Sequence, residues 1–282
     1  MADPTSPWTC PTCRAERTSP FCPQCGERPL TPIDLSPRSL LAKLAHAVTS
    51  IDGKFLRTCW QLLREPGTLT TAYLGGIRMP YIAPFQLFLI ANVIFFAVQS
   101  VTATNIFGAS LESHLHRQDW SDLAATLVAQ RLAGSQTTLA AYEPVFDRAV
   151  VVNAKSLVIL MVLPFAGLIA LAFGGQRRPM LTHVVFALHL YTFLLLLFSF
   201  VLVVTGAMVL AGGPGLDSPR VDNVLSALNL AACAAYLFVS IGTVFGVRGP
   251  LRLAKTMVLA AAAGALVPGY RFAVFLISLY TT

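Results

Sequence analysis

At 282 residues the chain is 55% hydrophobic and only 12% charged, with a mean hydropathy of +0.67. A soluble domain carries about 25% charged residues, so a pair of ordinary soluble domains is excluded. The formal net charge is +7; beside long apolar blocks, this reads as membrane orientation more than as a nucleic-acid footprint.

The chain opens on two Cys-x-x-Cys knuckles, Cys10 and Cys13 in CPTC, then Cys22 and Cys25 in CPQCG. Each knuckle presents two sulfurs to one ion, and zinc takes four thiolates in a tetrahedron. The eight residues between Cys13 and Cys22 allow a tight return, and Gly26 permits the turn after the second knuckle. So short a head cannot fold on an apolar core, so metal binding would drive its folding. Residues 1–30 are read as a zinc-ribbon head with structural Zn2+ on Cys10, Cys13, Cys22 and Cys25. Iron, a redox dithiol and a pair of disulfides are the alternatives, and a cytoplasmic face disfavours disulfides. Four cysteines leave no open position for a catalytic water. Arg14, Arg17 and Arg28 are balanced in part by Glu16 and Glu27. There is no strong nucleic-acid signal, and a cytoplasmic protein partner is expected. Cys59 and Cys233 read as small buried residues. The first 30 residues hold no signal-peptide apolar core, which makes the first apolar run an uncleaved anchor.

Residues 31–83 form a juxtamembrane amphipathic segment. Ser36-Pro37 supplies an N-cap and a first-turn proline, and Leu40, Leu41, Leu44 and Val48 follow at helical spacing. A second stretch sets Phe55, Leu56, Cys59, Trp60, Leu62 and Leu63 among Lys54, Arg57 and Arg64, and Pro66-Gly67 ends it. Both predict helices lying on an anionic leaflet or packed on the membrane body, and the pattern does not separate the two. Tyr73, Gly75-Gly76, Arg78, Tyr81 and Pro84 then combine turn residues with aromatic anchors. Arg78 and Tyr81, at headgroup depth, are candidate contacts for a lipid phosphate or another anionic ligand.

Five apolar runs follow, near 84–104, 156–173, 184–211, 224–245 and 256–280, with an outer loop at 105–152. Runs of about 20 apolar residues cross the hydrocarbon as helices. The fold class is an all-α integral membrane protein: a transmembrane domain over 84–282 with about five spans, preceded by the ribbon and interfacial helices. Nine cations precede residue 84, Arg177 and Arg178 fill the second loop, and Arg248, Arg252 and Lys255 the fourth. The loops between carry Glu112, Asp119, Asp122, Glu143, Asp147, Asp217 and Asp222. The positive-inside rule places the N-terminus in the cytoplasm and the C-terminus in the periplasm or outside, the membrane being a cell inner membrane. Pro268-Gly269 predicts a break in the last span. In the outer loop, Leu123, Leu127, Val128, Arg131 and Leu132 predict a surface helix, and His114 and His116 read as an exposed pair.

Polar residues in hydrocarbon are candidates for function: Gln86, Asn92, His183, His189, Asn229 and Arg271. His183 and His189 lie about 240° apart around a helix, so they do not share a face. His189 is the sharper candidate, and Arg271 has Asp147 or Glu143 of the outer loop, or a lipid phosphate, as its expected partner. No phosphate-cradling loop, serine elbow or zincin helix is present, and no internal repeat marks a transporter of inverted halves.

The order Asp52-Gly53-Lys54-Phe55, Glu65-Pro66-Gly67, Tyr73-Leu74-Gly75-Gly76-Ile77-Arg78 and Tyr81-x-x-Pro84, then His183 with Phe186 and His189-Leu190-Tyr191-Thr192-Phe193, resembles a family of bacterial inner-membrane proteins of unknown function. The resemblance is densest over Asp52–Phe85. It implies a membrane protein with a cytoplasmic zinc ribbon and an acidic residue paired with His183. Thr182 stands in the acid's place here, against acid–histidine chemistry at that point.

The expected function is a non-enzymatic membrane scaffold or adaptor whose ribbon binds a partner. A small transporter using His189 and Arg271 is the first alternative, and a lipid-modifying enzyme working at Arg78–Tyr81 the second.

Overall fold

The computed structural model describes residues 7–19, 21–27, 53–102, 106–215 and 218–282. The first predicted amphipathic helix, around Leu40–Val48, lies outside the described residues. Two short strands, β1 (Trp8–Thr9) and β2 (Glu16–Arg17), pair antiparallel across the first knuckle. The helices are α1 (Gly53–Arg64), α2 (Thr68–Leu74), α3 (Pro84–Val101), α4 (Leu111–His116), α5 (Ser121–Ser135) and α6 (Leu139–Ser156). A 3₁₀ turn at Val158–Met161 runs into α7 (Val162–Ala172), followed by α8 (Met180–Leu210), α9 (Pro219–Phe245) and α10 (Gly249–Thr281).

Among the described residues four helices, α3, α8, α9 and α10, are long and apolar enough to cross a membrane. A fifth span exists if α6 and the stretch Val158–Ala172, bent by 58°, are one element. The run predicted over 156–173 needs that partner: α7 alone rises about 16 Å, roughly half a hydrocarbon core. Helix α8 is the hub, packed against α3, α7 and α9, and α10 closes on α9, α7 and α6.

The last run is one helix, continuous through Pro268, where a break was expected. An internal proline costs about 3 kcal/mol, and packing past it offsets the loss. Tyr270, Val274, Phe275 and Leu279 are buried. The Tyr270 hydroxyl donates to the Ala154 carbonyl at 2.7 Å, and Asn153 Nδ2 donates to Ser278 Oγ at 3.0 Å.

Helix α1 has three faces. Phe55, Thr58, Cys59 and Leu62 turn to the body. About 100° around the helix an apolar stripe stays exposed: Leu56 at 72%, Trp60 at 61% and Leu63 at 54%. Lys54, Arg57 and Arg64 occupy the remaining side, and the Arg64 guanidinium lies 5.8 Å from the Trp60 ring centre. A helix packed on one side, apolar on the next and cationic on the third suits an interface.

Gly67 opens the turn into α2 at φ +92°, where a side chain is strained. A Cβ there would meet Thr243 Cβ at 2.9 Å and Ser240 Cα at 3.1 Å on α9. This close approach fixes α1 and α2 against the bundle. The predicted loop helix appears as α5.

Candidate functional site

The two knuckles are built alike. Arg14 N donates to the Cys10 carbonyl and Gly26 N to the Cys22 carbonyl, at 2.8 and 2.7 Å. Cys10 N donates to Ala15 and Cys22 N to Glu27, at 2.9 and 2.6 Å. Both turns need a left-handed residue, Arg14 at φ +60° and Gly26 at φ +74°. Sequence reasoning found the glycine and missed the arginine that does the same work.

This geometry gathers all four Sγ atoms within 4.8 Å of one another. Cys10–Cys25 and Cys13–Cys22 are separated by 3.4 Å, and Cys13–Cys25 by 4.0 Å. A tetrahedron with Zn–S bonds of about 2.3 Å has edges of about 3.8 Å, so the donor set fits one metal ion. Desolvation pushes the Cys22 thiol up, but the N–H groups of Gln24 and Cys25 with the Cys13 and Cys25 thiols outweigh it and bring it down to about 6. Cys25 moves the other way, up to about 12: the Glu27 N–H lowers it, but burial and the Cys10, Cys22 and Cys13 thiols outweigh that, so within this knuckle the donors favour the thiolate at Cys22.

The ribbon is tied to the body by Glu27, which is 2% exposed. Its Oε2 accepts from Thr12 Oγ1 at 2.8 Å within the ribbon, and from the backbone N–H groups of Arg78 and Met79 at 3.0 and 3.1 Å. Carboxylate–amide bonds of this kind are charge-assisted. Gly26 makes room for the contact, since a Cβ there would lie 3.1 Å from Met79 Cε. By sequence Glu27 was a charge balancing nearby arginines.

Beneath this contact lies a cavity of about 250 Å³. Its wall includes Lys54, Tyr73, Arg78, Tyr81, Gln86 and His189. Lys54 comes from the first turn of α1, Gln86 from the first turn of α3, and His189 from α8. Thr58 Oγ1 accepts from Ile82 N at 3.1 Å and donates to the Lys54 carbonyl at 2.6 Å, pinning the loop to α1. His189 is buried, with Nδ1 and Thr70 Oγ1 2.8 Å apart. The Arg78 guanidinium lies 4.9 Å from the Tyr73 ring centre, and its buried Nε has no hydrogen-bond partner among the described residues.

Residues 52–96 match the model of a family described as a protein of unknown function (DUF3667). No curated protein and no solved structure matches the chain. The matched segment is well under half of the chain, yet it carries α1, α2, the loop after them and α3 as far as Phe96. Every wall residue named above except His189 falls inside it. The ribbon lies outside it.

Three of the residues singled out by sequence, Arg78, Tyr81 and His189, therefore meet at one cavity. His183 and Arg271 do not. The His183 ring stacks on Phe245 at 5.9 Å, and Phe245 on Phe173 at 3.9 Å. Among the described residues neither His183 ring nitrogen has a hydrogen-bond partner by geometry. Arg271 lies toward the other end of α8, where Nε donates to the Ile106 carbonyl at 2.7 Å. It lines a second cavity of about 380 Å³ with Asp222 and Asn229. Asp147, one expected partner of Arg271, instead accepts from Leu111 N at 2.8 Å and caps α4.

The exposed histidine pair is corrected as well. His116 is exposed, but His114 is fully buried. Its Nδ1 accepts from Trp120 Nε1 at 3.2 Å, and its ring lies 4.7 Å from that of Phe275. Burial, then the positive charge of Arg271, lowers its pKa to about 4. In a six-residue helix folded back onto α10, one face must be core, and the loop's polar composition hides which face.

Proposed function

We propose that the protein is a non-enzymatic adaptor of the bacterial inner membrane, with a zinc-loaded cytoplasmic ribbon that docks a protein partner. The observation that carries this reading is the Glu27 carboxylate, which ties the ribbon to the Arg78–Met79 backbone. A tethered ribbon presents its outer surface in a fixed orientation, and Phe21, beside the second knuckle, is 57% exposed there. Four thiolates complete a tetrahedron and leave no position for substrate. The soft donor set and borderline softness of zinc support that metal. Cationic loops on the ribbon side support a cytoplasmic N-terminus.

The test is affinity purification from solubilised membranes, with metal content measured alongside. Wild type is compared with Phe21→Ser, which keeps the four thiols, and with Cys22→Ser/Cys25→Ser. The expected result is one zinc per chain in wild type and Phe21→Ser, with specific cytoplasmic proteins captured by wild type alone. Capture of the same proteins by all three forms, or of none by any, would overturn the adaptor reading.

A further inference from the structure

The geometry points to the ribbon-side cavity as a binding site for a phosphate-bearing headgroup. This goes beyond the adaptor reading and does not rest on it.

The first argument is charge. Lys54, which is exposed, and Arg78 line the cavity, and among the described residues no aspartate or glutamate does. Among the described residues neither cation is within ion-pair distance of a carboxylate, and neither side chain makes a hydrogen bond. The nearby acid, Glu27, is committed through Oε2 to Thr12 and to two backbone amides. Two cations left unneutralised around a concave space are what an anion requires.

The second argument is the helix beneath. Helix α3 starts at Pro84 with Ala83 at the N-cap, and no side chain caps its first turn. Proline lacks an N–H, so the Phe85 and Gln86 amides are its first free donors. Pro84 and Gln86 both line the cavity. An 18-residue helix directs the positive end of its dipole there. Dipole, ammonium and guanidinium thus converge from three separate elements.

The third argument is chemistry and size. Tyr73 and Tyr81 add hydroxyls suited to phosphate or glycerol oxygens. A volume of about 250 Å³ admits a phosphate with a few attached atoms and excludes acyl chains. The exposed stripe Leu56, Trp60 and Leu63 on α1 sets that helix at the interface, where phospholipid headgroups lie.

The full-length protein in detergent micelles is titrated with glycerol 3-phosphate by calorimetry. In parallel, nanodiscs of phosphatidylcholine with and without 10% phosphatidic acid (about one lipid in ten) are used with native mass spectrometry. A 1:1 complex with either probe, weakened about tenfold or more in Lys54→Ala/Arg78→Ala, supports the site. Glycerol 3-phosphate binding assigns it to a soluble phosphate ester, and phosphatidic acid alone assigns it to a lipid. Gln86→Glu places a carboxylate in the same wall and must weaken binding without removing either cation, guarding against misfolding of the double variant. Arg57→Ala/Arg64→Ala removes two exposed cations from the same helix and must leave the complex intact. The proposal is overturned if neither probe binds, if the cavity variants bind as wild type, or if the Arg57/Arg64 variant loses as much. The last outcome would mean general attraction of α1 for anionic surfaces.

Discussion

The two cavities sit toward opposite ends of α8 and treat an arginine in opposite ways. At the far end, Arg271 shares its cavity wall with Asp222 and gives its Nε hydrogen to the Ile106 carbonyl. At the ribbon end, Arg78 shares its wall with Lys54, and its buried Nε has no hydrogen-bond partner among the described residues. A buried donor without an acceptor costs about 1–3 kcal/mol, so a fold tolerates it where something else repays it. The first arginine holds helices together; the second is available to a ligand. The ends also differ in how they are closed. Aromatic packing of His114, Phe146 and Phe275 closes the far end, whereas the four-cysteine ribbon covers the near one through Glu27.

That difference breaks most completely when the metal is removed. Structural metal supplies about 10–16 kcal/mol to a small ribbon, more than its few apolar residues provide. Chelation, or Cys22→Ser/Cys25→Ser, is expected to raise amide hydrogen exchange across residues 7–27 and in the loop carrying Arg78 and Met79. Helices α4 to α6 should exchange as before. Equal exchange with and without chelator would show that the ribbon folds without its metal.

A smaller effect separates two glycines of like backbone. Gly67 at φ +92° and Gly212 at φ +82° both occupy the left-handed region. A Cβ on Gly67 runs into Thr243 and Ser240, while a Cβ on Gly212 meets nothing within 4 Å. Asparagine tolerates this backbone, so Gly212→Asn should leave the melting temperature nearly unchanged. Gly67→Asn should cost about 1–3 kcal/mol by overpacking. Equal shifts would mean that α9 yields at that contact. Glu27→Ala follows, with about 1.5–3 kcal/mol lost from charge-assisted bonds. It is read as faster exchange at the Arg78 and Met79 amides with zinc content unchanged.

These contrasts also mark where the amino-acid pattern is readable. The cysteine spacing, the apolar runs and Pro66-Gly67 announce themselves because each follows from local stereochemistry or from bilayer thickness. The clustering of Arg78, Tyr81 and His189 was half visible: Arg78 and Tyr81 stood out as a cation and an aromatic anchor at headgroup depth and His189 as a polar group in an apolar run, but only the fold brings α8 to the loop. Glu27 was not visible, because its partners are backbone amides some fifty residues on, and no pattern distinguishes it from a solvated charge. The continuity of α10 through Pro268 was misread for a related reason. Local propensity predicts a break, and the tertiary bonds of Tyr270 and Ser278 override it.

The smallest expected effect, nil at neutral pH, tests the far end alone. His114 is buried and its pKa lies at about 4, against an ordinary 6.5, through burial and then the charge of Arg271. Above about 6.5 the ring is neutral in folded and unfolded chains alike, and stability does not depend on it. Between about 6.5 and 4 the unfolded chain binds the proton and the folded one does not, so stability falls as the pH falls. Below about 4 both states are protonated and the dependence flattens. His114→Gln keeps a carbonyl acceptor for Trp120 Nε1 but cannot titrate. The difference in melting temperature between wild type and His114→Gln should therefore be constant above about 6.5 and should shift against wild type as the pH drops toward 4. Taking that difference cancels acid loss of the ribbon's metal, which both proteins share. A difference flat across the whole range would show that protons reach the His114 ring in the folded protein, and that aromatic packing seals the far end less tightly than its geometry implies.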